Sequence, residues 1–183
     1  VYPLVRAYAV TLDEKYAEHF WRWLEDWLQK NPPNTGPHYK CGQECAIRSF
    51  AVCFGLFAFM DCSASTPQRI ASAVTMLAIH ADRISKNIDY ARYQKNNHAI
   101  SEANGLYTIG TLFAELKDSE KWRSLGKKVL EESALTQISD DGSYAQHSMN
   151  YHRLVLDNYL WAIRLAKING NEFYDKMISR VAK

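Results

Sequence analysis

Apolar residues recur three and four positions apart along almost the whole chain, and Pro and Gly fall between the periodic stretches. After Thr66, the positions Ile70, Ala73, Val74, Leu77, Ala78, Ala81 and Ile84 follow helical spacing. Thr66 reads as the N-cap of that helix and Pro67 as a first-turn residue. Upstream, Thr11-Leu-Asp-Glu14 spells a capping box and predicts a first helix over about 12–30, ended by Asn31-Pro-Pro-Asn-Thr-Gly36-Pro. A second helix is predicted over about 42–60, and the helix opened by Thr66 is the third. The pattern predicts four more, over about 98–116, 119–138, 148–168 and 171–182. Asp140-Asp-Gly-Ser143 reads as a turn, and Asn169-Gly170 as a helix C-cap. No strand-like alternation appears anywhere.

The reading is therefore all-α: antiparallel helical hairpins joined by short loops, forming part of an (α/α) toroid. No tetratricopeptide or ankyrin signature is present. Consecutive helices in such a stack alternate in direction. The second, fourth and sixth helices then run parallel and bring their N-termini to one mouth. The loops entering them carry His38, Tyr39, Glu44, Arg48, Asn96, Asn97, His98, Glu102, Gln146, His147, Tyr151 and His152. Free N–H groups at helix N-termini add partial positive charge, which suits a carboxylate or sulfate group.

Composition narrows the classes. The 183 residues fit one domain. Lys plus Arg is 22 against 20 Asp plus Glu, a net +2, which excludes a dominant nucleic-acid footprint but leaves room for a local basic pocket. At 47% apolar residues the chain can build a core. Aromatic residues, 13% of the chain, serve either that core or sugar stacking. The longest apolar run, Ser49–Met60, is too short to span a bilayer, so no membrane partner is expected. The chain starts at Val1 with no signal-peptide pattern, which reads as a processed protein or a piece of a longer one. Cys41, Cys45, Cys53 and Cys62 form no CxxC pair. Cys41, Cys45 and His38 around a zinc ion would lack further ligands, so the cysteines read as small buried side chains and no metal is expected.

Three segments carry chemistry. In Asn96-Asn97-His98…Glu102, either asparagine serves as an N-cap or the pair with His98 meets a ligand. In Asp141-Gly-Ser-Tyr-Ala-Gln146-His147-Ser-Met-Asn-Tyr151-His152, Tyr151 is either a packed tyrosine or a proton donor. In Asn31…His38-Tyr39-Lys-Cys41-Gly-Gln-Glu44…Arg48, Glu44 and Arg48 stand four apart, as a surface ion pair or a functional one.

Together NPPNTGPHYKCGQECAIR, NNHAISEANGLYTIGTLFAELKDSEKWRSLGKKVLEE and DGSYAQHSMNYHRLVLD resemble the helical domain of the heparinase II/III superfamily of polysaccharide lyases, which includes heparin-sulfate lyases and related alginate lyases. The three motifs stand in the family's order and spacing. Relatives often carry an Asn-Trp-like pair where this chain has His38-Tyr39, a departure that bears on substrate preference. The resemblance implies that residues 1–183 are a partial toroid, with the family's C-terminal β-sandwich domain absent from this chain.

The implied reaction is β-elimination at a uronic acid: a base takes the C5 proton and the C4 glycosidic oxygen leaves. Carried over by motif, Asn97 holds the carboxylate with His98 beside it. Tyr151 protonates the leaving oxygen and, for some stereochemistries, also acts as base. Glu44, Arg48, Glu102, Gln146 and His152 line the sugar subsites. No cofactor is implied. The resemblance further implies an acidic polysaccharide substrate, a periplasmic or secreted location, and the rest of the same enzyme or self-association as partner. Two other readings stay open: a glycoside hydrolase using Glu44 and Glu102, and a non-catalytic carbohydrate-binding fragment.

Overall fold

The structure is a computed structural model that describes residues Val1–Lys183. It contains α1 (Tyr2–Thr11), α2 (Lys15–Lys30), α3 (Gly42–Phe59), α4 (Pro67–Gln94), α5 (Asn97–Leu112), α6 (Ser119–Gln137), α7 (Met149–Ile168) and α8 (Asp175–Val181), with a 3-10 turn at Pro37–Tyr39. The β-type pairing is a single antiparallel bridge, Ile138 to Tyr144, across the Asp140–Ser143 turn. No helix is long and apolar enough to cross a membrane.

The helices form two layers of antiparallel hairpins. Cross-helix contacts fix the direction of one layer. From α3 to α5, Gln43 Nε2 donates to Ser101 Oγ at 3.1 Å, and much further on Phe57 meets Phe113 with ring centroids 5.9 Å apart. From α5 to α7, Asn104 Nδ2 donates to Asn158 O at 3.0 Å, and Trp161 Nε1 donates to Thr108 Oγ1 at 2.9 Å. Residue numbers rise together in both pairs, so α3, α5 and α7 are parallel, as helix alternation predicts. In the second layer Arg69, 18% exposed in its side chain, reaches from the start of α4 to Glu18 and Glu25 of α2. Thr66 caps α4 through its side chain, which accepts from Arg69 N, and Pro67 occupies the first turn.

The first predicted helix is corrected. Two helices occupy its neighbourhood, because Leu12 adopts a left-handed conformation at φ +56° and breaks the chain after α1. The Thr11 hydroxyl donates back to Ala7 O at 2.8 Å, while Asp13 Oδ1 accepts from Lys15 N at 3.0 Å. Glu14, the capping-box partner on paper, instead accepts from Ser63 N at 3.1 and 3.2 Å, closing the turn between α3 and α4. Two ends are also shorter than predicted. Helix α5 stops at Leu112 because Phe113 turns inward against Phe57. Helix α8 waits until Asp175 because Phe173 is drawn into the core against Tyr107, ring centroids 5.1 Å apart.

Helix α5 is the centre of the molecule, and every residue from Ala99 to Gly110 is buried. It packs against α6 with backbones almost touching. A Cβ placed on Gly126 of α6 falls 2.5 Å from Ala103 O and 2.6 Å from Tyr107 N. Those atoms are helix backbone and cannot move aside. Alanine is the better helix former by about 1 kcal/mol, so an open site would gain from the change. Here Gly126→Ala is expected to lower unfolding free energy by about 2 kcal/mol, in the range of overpacked cores. Denaturant unfolding of the variant checks this, and a stabilised protein contradicts the packing.

Candidate active site

The mouth is assembled where α3, α5 and α7 begin, and the helix starts are stitched to one another by side chains. At α5, the Asn96 side chain caps locally, Oδ1 accepting from His98 N at 2.9 Å. The next free amide, Asn97 N, donates to Gln146 Oε1 of the loop entering α7, at 3.1 Å. Tyr144 donates its hydroxyl towards the same Gln146 oxygen at 3.0 Å and towards Gln137 Oε1 at 3.1 Å. Burial pushes the Tyr144 phenol above its ordinary range, which keeps that donor proton in place. At α3, no side chain of the N-cap residue Cys41 bonds the first turn. Glu102 of α5 lies against that turn, its carboxyl carbon 2.5 Å from where a Cβ on Gly42 would stand, and the nearby Gln43 N–H partly offsets the effect of burial on its pKa.

These links decide which predicted residues meet. Asn97 is bonded to Gln146, His98 follows it on α5, and His152 stands against Tyr144 of the same loop, while Tyr151 lies one residue before His152 in the first turn of α7. Asn97 is only 3% exposed, and its side-chain amide has no partner within the chain. His98 is half-buried, and desolvation lowers its pKa, so the imidazole is neutral near pH 7. Tyr151, in the first turn of α7, is 45% exposed with its ring free. His152 is half-buried one residue on, its ring 6.4 Å from that of Tyr144.

Three predicted residues have other surroundings. Glu102 lies against Gly42, so close that a Cβ there would fall 2.5 Å from its carboxyl carbon. Glu44 is exposed on α3 and makes no ion pair with Arg48. Arg48, one turn further on, reaches α2 and α4. Its guanidinium stacks on Trp27 at 4.5 Å, donates to His38 O at 3.3 Å, and stands 3.4 Å from Nε2 of His80. His80 is fully buried, bonds Ser49 Oγ through Nδ1 at 3.1 Å, and is held down to a pKa of about 3 by burial and the Arg48 charge. Tyr39 is buried in the same aromatic cluster, while His38 is exposed. A carboxylate pair facing one sugar, as hydrolysis requires, is not formed by Glu44 and Glu102.

Further along the same three helices lies an open hollow of about 330 Å³, walled by Ile47, Phe50, Phe54, Leu154 and Trp161. Cys45, Cys53 and Cys62 are buried in the core, and no three His, Cys, Asp or Glu side chains converge as metal ligands would.

Residues 1–183 match the family described as Heparinase II/III N-terminus. The chain belongs to that family. Among curated relatives of this heparinase II/III N-terminal chain, a heparin-sulfate lyase from Bacteroides thetaiotaomicron is 31% identical over 91% of the chain and 24% of its own length. A heparin-sulfate lyase from Pedobacter heparinus is 30% identical, covering 87% of this chain and 24% of its own. Two solved structures share the fold. One, titled heparinase III, has a TM-score of 0.80 at 30% identity, covering 98% of this chain and 28% of its own. The other, a heparan sulfate lyase from Pedobacter heparinus, has a TM-score of 0.77 at 26% identity, with the same coverage. The chain thus spans about a quarter of the length of these relatives, and its two layers of hairpins are an arc of their (α/α) toroid.

Glu102 gives the site a pH signature. Burial raises its pKa from 4.5 to about 7, against a smaller lowering by the Gln43 N–H. Between those values the native state holds a proton that the unfolded chain has lost. The stability this group contributes is fully present below pH 4.5 and is lost as pH rises through 7, an effect of about 3 kcal/mol. Glu102→Gln keeps the shape and removes the titration. Unfolding free energies measured from pH 4.5 to 7.5 are expected to fall less steeply for the variant than for the parent. Parallel slopes would mean that Glu102 does not titrate in this interval.

Proposed function

We propose that this chain forms the toroid wall of a polysaccharide lyase that cleaves a uronate-containing glycosaminoglycan of the heparin and heparan sulfate class by β-elimination. The observation that carries the reading is Asn97, a residue 3% exposed whose side-chain amide makes no hydrogen bond within the chain, followed directly by neutral His98, in a chain of this family. The substrate class follows the names of the relatives.

The chemistry fits the groups. The C5 proton of a uronate is weakly acidic while the neighbouring carboxylate keeps its charge. Asn97 and His98 donate hydrogen bonds to that carboxylate and stabilise the enolate-like intermediate as charge moves onto it. A base takes the C5 proton, Tyr151 itself for some stereochemistries and otherwise a histidine of the proposed β-sandwich domain; the electron pair from C5–H becomes the C4–C5 double bond, and Tyr151 protonates the glycosidic oxygen as the C4–O bond breaks. Gln146 and His152 flank the sugar. Glu102 holds the mouth in shape from behind. Further toroid helices and a β-sandwich domain are proposed as the opposite wall, and the size of the substrate supports a periplasmic or secreted enzyme.

In the full-length enzyme, Tyr151→Phe is expected to reduce turnover at least 100-fold with folding unchanged, the scale of a lost general acid. The assay is ultraviolet absorbance of the unsaturated product from heparan sulfate, with alginate run alongside. Chain cleavage without that absorbance would point to hydrolysis, and an active Tyr151→Phe enzyme would remove the tyrosine from the chemistry.

The 183-residue chain by itself is expected to show little turnover and to self-associate. Phe54 is 37% exposed and Phe57 is 46% exposed, with Phe50 half-buried beside them in the open hollow. Trp161 is 39% exposed on the facing helix. A contiguous apolar face of this kind calls for cover. Light scattering run with the elimination assay tests both points, and an active, monodisperse monomer contradicts them.

A further inference from the structure

Cys41 occupies the N-cap of α3, a position usually held by Ser, Thr, Asn or Asp, whose side-chain oxygen accepts a first-turn amide. Its thiol makes no such bond. The thiol is therefore spare. It is directed across the helix interface, with Sγ 3.8 Å from Nδ1 of His98. No other protein atom bonds that imidazole through its side chain, and Nε2 is left without a partner.

A thiol is a weak donor and a weaker acceptor, whereas the unprotonated nitrogen of a neutral imidazole is a good acceptor. We propose that Cys41 is a positioning residue: its S–H donates to Nδ1 of His98, which orients the ring and fixes the tautomer with the proton on Nε2. Resting on the lyase reading, this Nε2–H is the donor that His98 offers to the substrate carboxylate beside Asn97. The opposite tautomer would present a lone pair to the carboxylate and repel it. Tautomer control by the bond at the other ring nitrogen is a general property of histidine. The low pKa of His98 agrees with it, since only a neutral ring has a tautomer to select.

The test is nitrogen NMR of the chain labelled with 15N in its histidine rings, with His98→Gln assigning the resonance. In the parent protein at pH 7 the expected result is an unprotonated, hydrogen-bonded Nδ1 and a protonated Nε2. Cys41→Ala is expected to move the Nδ1 signal towards that of an unbonded imine nitrogen and to let the second tautomer appear. Cys41→Ser, which keeps a donor, should hold the parent tautomer. A protonated Nδ1 in the parent overturns the proposal, and so do two protonated nitrogens, the mark of a thiolate–imidazolium pair. An unchanged His98 signal in a folded Cys41→Ala chain overturns it as well. The parent spectrum alone decides the tautomer if a variant fails to fold. Because the spectrum needs no substrate, failure here is separate from failure of the lyase reading, which the absorbance assay judges.

Discussion

A helix buried on every side is held in place by the partners its polar side chains find, and α5 carries many, with only Tyr107 Oη and Thr111 Oγ1 buried without one. Ser101, Glu102, Asn104 and Thr108 all lie within its fully buried stretch. An unpaired buried polar group costs about 1–3 kcal/mol, so each pairing resists sliding of the neighbouring helix. Ser101 takes its bond from Gln43 of α3, Asn104 donates to Asn158 of α7, and Thr108 accepts from Trp161 of α7. Apolar packing alone would tolerate a shift of one turn. These bonds do not, and they hold α3 and α7 in register on either side of α5.

The mouth follows from that register. Once three parallel helices are aligned, their first turns lie level, and each can be capped by its neighbour. Glu102 packs on the first turn of α3 at Gly42, and Gln146 caps α5 from the loop before α7. Local N-capping would have served each helix separately. Capping across helices makes the site and the interhelical contacts one structure, so a change at Gln146 or Glu102 loosens both. It also divides labour among the polar residues. Gln146 holds a backbone amide, while the side chains of Asn97 and Tyr151 make no hydrogen bond within the chain and His98 meets only Cys41.

Arg48 shows the same division on the other side of α3. Its charge is absorbed by the Trp27 face and the His38 carbonyl, with neutral His80 beside it. That cluster ties the loop before α3 to α2 and α4. His38 faces solvent, as do Pro32 to Pro37 before it.

The periodic apolar positions, the Thr66-Pro67 start of α4 and the Asn169-Gly170 end of α7 determined the helices locally, because caps and helical faces depend on residues only a few positions apart. The alternation of hairpins then determined that α3, α5 and α7 share a direction, and the three motifs determined the family. Other features lay beyond sequence reading because they depend on partners far along the chain. The Thr11–Glu14 capping box was complete in sequence, yet Glu14 went to Ser63, 49 residues away. Helix α1, with Pro3 in its first turn as the available signal, has no fully buried residue to mark a face. Glu44 and Arg48 had ideal spacing for a pair, but Trp27 offers the guanidinium a desolvated ring that an exposed carboxylate cannot match. That Glu102 packs on Gly42, 60 positions earlier, was likewise beyond reach of local pattern. Only the tertiary structure decided which polar side chains were consumed by the fold and which were left for a substrate, since burial and capping across helices are properties of the packed arrangement.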